Sequence, residues 1–131
     1  MISLDTNILV RFFAQDDKAL TKRAVHILSV RCNEANPGFV TSIVLVELFW
    51  TLRSHYGFTK EKLCDVLEVL LNAREIRFEY PDEVRYAYDL FMNNSADFAD
   101  ALIGAISETQ GCETTVTFDK KAAKLAEFSK G

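Results

Sequence analysis

A chain of 131 residues with 49% apolar content is the size of one domain, taken here as residues 1–131, and has enough nonpolar side chains for a continuous core. No apolar run approaches the roughly 20 residues that cross a bilayer, Met1 leads straight into strand-like sequence and not into a basic-then-apolar leader, and the three cysteines (Cys32, Cys64, Cys112) show no Cys-x-x-Cys pairing; a cytoplasmic protein without a disulfide framework or zinc site is expected. The net charge of −4 argues against binding nucleic acid by bulk charge, yet basic residues cluster at 11–31 and at Lys120, Lys121, Lys124 and Lys130 while Glu75 to Asp100 is acidic, which fits either solvated helix faces or a basic rim around an acidic centre.

The first strand is Ile2-Ser3-Leu4, which delivers Asp5 to the start of a helix near Thr6 or Asn7. Taken alone, Asp5 is explained better by helix capping, because an aspartate there accepts orphaned backbone N–H groups, than by a ligand site at the carboxyl end of a parallel sheet. Ile8, Leu9, Phe12 and Phe13 recur at helical spacing, and Gln15-Asp16-Asp17 breaks the chain before a helix from about Lys18 to Glu34. Asn36-Pro37-Gly38 stops that helix. Phe39-Val40-Thr41 reads as a second strand, with Ser42 placed as a cap.

Residues 43–52 are apolar on almost every face except at Glu47, the pattern of a buried helix. An ionised carboxylate in such a setting needs a partner, so a salt bridge to Arg11 or Arg53 and a metal site are both open. Phe12, Phe49 and Trp50 are expected in the core. A helix capped by Thr59 continues through Leu71, Glu75–Glu79 reads as a third strand near an edge, and Pro81 marks a turn before a helix from Asp82 to Asn93. Ala96–Gln110 is then helical, with Asp97 and Asp100 on one side of its first turn; either acid alone is accounted for by the helix dipole. Thr114–Thr117 is the fourth strand, ending at Phe118-Asp119 in a repeat of the opening strand-to-acid pattern, and Lys120–Phe128 reads as the last helix.

Strands alternating with helices imply an α/β fold with a doubly wound parallel sheet. In such a fold Asp5 and Asp119 would share one sheet edge, with Glu47, Asp97 and Asp100 on helix turns facing it. Carboxylates without histidine or cysteine make a hard-oxygen site suited to Mg²⁺ or Mn²⁺. The chemistry that uses such a site is metal-assisted hydrolysis, in which the cation acidifies a water and stabilises charge on a phosphodiester.

Leu4-Asp5-Thr6-Asn7, Glu47 in its apolar helix, Asp97-Phe98-Ala99-Asp100-Ala101-Leu102-Ile103-Gly104-Ala105 and Thr117-Phe118-Asp119 together resemble the PIN-domain ribonucleases, and among them the VapC group of type II toxin–antitoxin toxins. The resemblance covers nearly the whole chain, and its four short motifs stand in the right order at the right spacing. It implies a three-layer, PIN-like (Rossmann-like) domain with a central parallel sheet of four to five strands and helices on both faces. It also implies a Mg²⁺- or Mn²⁺-dependent endoribonuclease that is a homodimer, cuts RNA and is blocked by an antitoxin. Asp5, Glu47, Asp100 and Asp119 take the four acidic positions, with Asp5, Asp100 and Asp119 as metal ligands. Asn7 and Thr117 support the site. Asp97 is an accessory catalytic acid or a competitor for the position given to Asp100, which directly precedes the Ala-Leu-Ile-Gly-Ala run as the family's acid usually does. Residues 127–131 leave little room for the final strand common in the family.

Two other readings fit part of the sequence. A catalytically inactive PIN module that binds RNA or a partner protein would keep the acids for stability alone, although degenerate modules tend to lose members of the set. A phosphatase of the haloacid dehalogenase type would need a second aspartate where Asn7 stands, and a receiver domain would carry its phosphoacceptor on a later strand.

Overall fold

The short apolar segments between helices become parallel strands in the computed structural model, which describes residues 1–131. In chain order the elements are β1 (Ile2–Ser3), α1 (Thr6–Ala14), α2 (Lys18–His26), β2 (Gly38–Val40), α3 (Ser42–Ser54), α4 (Lys60–Asn72), β3 (Ile76–Phe78), α5 (Pro81–Asn93), α6 (Phe98–Thr109), β4 (Thr115–Thr117) and β5 (Phe128–Lys130). Every strand pairing is parallel, so the α/β class read from the alternation holds. The hydrogen-bonded sheets, however, are a three-stranded one in the order β1-β2-β3 and a two-stranded one of β4 and β5, in place of one continuous sheet of four or five strands. The chain groups into two compact units, Met1–Glu79 and Tyr80–Gly131. No helix is long and apolar enough to cross a membrane.

In the first unit β2 is the central strand, pairing Gly38 with both Ile2 and Ile76. Gly38 is needed there, because a Cβ would lie 2.6 Å from Leu4 Cδ1 and 3.1 Å from Cys32 Sγ. Leu4, Leu9, Val40, Leu45, Leu48, Leu52 and Leu67 fill the core, with α1 packed on α2 and α3. The helix expected to run to Glu34 ends its α-helical part at His26 and continues as one wide π turn over Ile27–Arg31. Ser29 Oγ donates to the Val25 carbonyl, a back-bond that loosens a helix, and the Asn33 side chain accepts from the Asn36 N–H to close the following loop. The cap of α3 is Thr41 and not Ser42: Thr41 has extended backbone and its Oγ1 accepts from the Val44 N–H, while the Ser42 N–H donates to Glu79 Oε1. Thr59 caps α4 as expected.

In the second unit Pro81 occupies the first turn of α5, where its missing N–H costs nothing. Packing of α5 on α6 brings Phe91 and Phe98 edge to face. The expected last helix over Lys120–Phe128 is absent. Asp119 is followed by a single 3-10 turn at Ala122–Lys124, and Leu125 is already extended. Ala122, Leu125 and Phe128 recur every third residue, which imitates a helix, but each is pinned in one apolar cluster with Ala96. The chain then runs as β5 alongside β4, pairing Thr115 with Phe128 and Thr117 with Lys130, so five strands exist in total. Gly104 admits this segment against α6, since a Cβ there would meet the Phe128 ring at 2.6 Å. The residue just before β5, Glu127, is drawn inside to 8% exposure.

Glu127 is stabilised by the Tyr86 hydroxyl, which donates to its Oε1. That bond, followed by burial and by the charges of Glu127 and Glu108, pushes the Tyr86 phenol up to about 12. Because the folded value lies above the ordinary one, the bond stabilises the fold fully below the usual tyrosine range, and that stability is lost as pH rises towards about 12. Tyr86→Phe should cost about 1 kcal/mol in urea unfolding at neutral pH, discounted for the partial exposure of Tyr86. The difference from the parent protein should shrink in strongly alkaline buffer; a constant difference across that range would show that the hydroxyl is not the source.

Candidate active site

Two groups of acids are built, one in each unit. In the first, buried Leu4 ends its strand segment and Asp5 takes the N-cap position of α1 with extended backbone, its Oδ1 accepting the Thr6 N–H at 2.8 Å. The capping reading of Asp5 is therefore realised, and it occupies only one carboxylate oxygen. The next residue links this turn to α3: Thr6 Oγ1 donates to Glu47 Oε1 at 3.0 Å. An open groove of about 550 Å³ runs from Asp5, Thr6, Asn7 and Glu47 towards His55 and Tyr56. Thr6 escapes a reading of the sequence because its partner lies 41 residues away; the one local signal is a hydroxyl directly after a capping acid.

Glu47 is not buried, which corrects the expectation from the apolar composition of its helix. The core side of α3 is Val44, Leu45, Leu48, Phe49 and Leu52, while Ile43 (71% exposed) and Trp50 (62% exposed) share the outer face with Glu47. Trp50 is thus also outside the expected core, Phe12 is half-buried, and Phe49 is buried. Arg11, a candidate partner for Glu47, instead pairs with Asp16 at 3.0 Å. Tyr56 donates its hydroxyl to the same aspartate at 2.8 Å. The Tyr56 hydrogen bond, followed by the hydrogen bond and charge of Arg11, holds the Asp16 carboxyl below its ordinary range, and Asp16 in turn pushes the Tyr56 phenol and the Arg11 guanidinium up.

In the second group Asp97 is the N-cap residue of α6 and Asp100 lies in its first turn. Asp97 is exposed and Asp100 half-buried. The Asp100 carboxyl is pushed up, first by burial and then by the negative charges of Asp119 and Asp97. Asp119 follows β4 and is fixed by its own turn: Oδ1 accepts the N–H groups of Lys121 and Ala122, each at 2.8 Å, and its N–H donates to Thr117 Oγ1 at 3.0 Å. Thr117 therefore positions the Asp119 turn.

The structure thus brings Asp5, Asn7 and Glu47 to one groove, and Asp97, Asp100 and Asp119 within electrostatic reach of one another. No group of three or more Asp, Glu, His or Cys side chains is gathered closely enough to hold a metal ion. The donor chemistry fits a hard divalent cation in kind: the donors are carboxylates with no sulfur or imidazole, and the charges of Asp119 and Asp97 act on Asp100. The three cysteines are all unpaired, with Cys32 buried, Cys64 half-buried and Cys112 exposed. Burial pushes the Cys32 and Cys64 thiols up, away from reactivity.

Parallel strands ending in aspartates, each followed by a helical turn, define an α/β domain of the acidic-site type, and the chain belongs to the PIN-domain family, whose model matches residues 2–128. A VapC ribonuclease of Aquifex aeolicus (strain VF5) is 24% identical over 122 residues, which cover 93% of this chain and 90% of that protein.

The Asp16 assignment can be read directly by carbon-detected NMR titration. Tyr56→Phe should move the Asp16 carboxyl midpoint upwards towards its ordinary value, because the largest cause of its lowering has been removed. A depressed folded value stabilises the fold above the ordinary carboxylate range and is lost as pH falls through it, so the variant should also lose less stability on acidification. An unmoved Asp16 midpoint would assign the effect to Arg11.

Proposed function

We propose that this chain, as one PIN domain over residues 1–131, is a Mg²⁺- or Mn²⁺-dependent endoribonuclease and the toxin of a toxin–antitoxin pair, working as a homodimer in the cytoplasm until a cognate antitoxin blocks it. The observation that carries this reading is the complete acid set in a PIN-domain chain: Asp5, Glu47, Asp100 and Asp119 are all present, with Asp5 and Asp119 each held through one oxygen by their own turns. The likeness to a protein named VapC ribonuclease supports the same substrate class.

Asp5, Asp100 and Asp119 would hold the cation, which when bound neutralises phosphodiester charge and makes a water more acidic. Glu47, accepting from Thr6 Oγ1, is fixed to receive a proton from the attacking water. Asp97, at the start of the helix that carries Asp100, adds negative charge beside it as an accessory acid. Asn7 lines the groove beside Asp5 and supports the bound substrate, and Thr117 keeps the Asp119 turn in place.

Single-stranded RNA incubated with the protein and Mn²⁺ should be cut internally, and chelation should stop the reaction. Asp5→Asn and Asp119→Asn should each lower the cleavage rate by about 100-fold, the usual scale for removing one preorganised charge from a phosphoryl-transfer site. Cleavage at the parent rate by both variants would remove these residues from the site. A non-catalytic PIN module would show no cation-dependent cleavage at all, and the same substitutions would alter only the melting temperature.

A further inference from the structure

Glu47 does not stand alone on the outer face of α3. Trp50, one turn further along that helix and about 4.5 Å along its axis by helix geometry, is 62% exposed. It is the one tryptophan in the chain. Its ring meets the His55 ring edge-on, with centroids 5.4 Å apart at 78°. His55 lines the groove that begins at Asp5 and Glu47, and Tyr56 lines it too. A single exposed aromatic residue needs no explanation. Here the ring is braced by a second ring, on the same helix face as the acid that Thr6 ties to the Asp5 turn.

An indole in edge contact with a neighbouring ring has fewer rotamers open to it, and so less conformational entropy to lose when a flat ligand settles on its exposed face. Ligands that present both a flat π face and a phosphate, which a cation held among the acids would draw to that end of the groove, are nucleotides. Stacking on aromatic side chains is the contact that single-stranded RNA offers, because its bases can be splayed out, whereas a duplex keeps them inside.

Resting on the ribonuclease reading above, we propose that Trp50, braced by His55, is the platform on which an unpaired base stacks when the neighbouring phosphodiester lies over Asp5 and Glu47. Trp50 is then a positioning residue for single-stranded substrate. It makes no bond that breaks or forms in the reaction. Stacking reads the π face, so the platform accepts any base and excludes paired ones.

The single tryptophan makes the test direct. With Mg²⁺ present and phosphorothioate linkages that resist hydrolysis, a single-stranded RNA oligonucleotide should quench the protein's tryptophan emission in a saturable way, while the same sequence as a duplex should not. Trp50→Ala should weaken single-strand binding, followed by anisotropy of a labelled oligonucleotide, by roughly 5- to 150-fold, the range for one base–aromatic stack. Trp50→Phe should restore most of the affinity, which a change that merely disturbs the helix would not do. His55→Ala should weaken binding less than Trp50→Ala does. Quenching and its rescue without cleavage in Mn²⁺ would retain the platform and discard the catalytic reading. Cleavage with unchanged affinity in Trp50→Ala would do the reverse. A blue-shifted emission that grows with protein concentration and is indifferent to RNA would overturn the proposal by assigning this face to a second copy of the chain.

Discussion

The structure depends on how an aspartate is held at the end of a strand. At Asp5 one carboxylate oxygen takes the N–H of the next residue, and at Asp119 one oxygen takes two N–H groups from the turn that follows. Backbone donors at a helix or turn start would otherwise be unsatisfied, so the chain gains local stability by fixing the acid. The other oxygen of each carboxylate is left out of that arrangement. Capping and metal binding are therefore compatible roles for one residue, since the first sets the direction of the side chain and the second uses the remaining oxygen.

Charge is the second constraint. Thr6 gives Glu47 a neutral hydrogen bond in place of a counter-charge, and Arg11, which lines the same groove, is committed to Asp16. In the other unit the negative charges of Asp119 and Asp97 raise the Asp100 carboxyl on top of the effect of burial. Acids placed near one another lose stability by mutual repulsion, and a divalent cation relieves it. Glu127 shows a contrasting arrangement: a carboxylate drawn inside, one oxygen accepting from a phenol and the other buried without a hydrogen-bond partner, where β5 packs against α6.

Much of this is legible in the residues. Capping by Asp5 and Thr59, parallel strands between helices and the strand-to-acid repeat at Asp5 and Asp119 all follow from local chemistry, whereas the helix expected to run to Glu34 before Asn36-Pro37-Gly38 ends at Arg31 and Gly38 already belongs to β2. What is not legible depends on contacts remote in sequence. The spacing of Ala122, Leu125 and Phe128 suits a helix as well as it suits three anchors of an extended segment, and pairing with β4 decides between them. A helix as apolar as α3 does not reveal which side faces out, so its composition puts Glu47 and Trp50 in the core when both lie on its outer face. Thr6 has no local signal strong enough to connect it to Glu47.

The function proposed for the chain requires that aspartates oriented by their own turns hold a divalent cation. Electron paramagnetic resonance of free Mn²⁺ titrated with the protein, without RNA, tests this most directly. Saturable binding is predicted, weakened about tenfold or more in both Asp5→Asn and Asp119→Asn. Binding in both variants equal to that of the parent protein would contradict it.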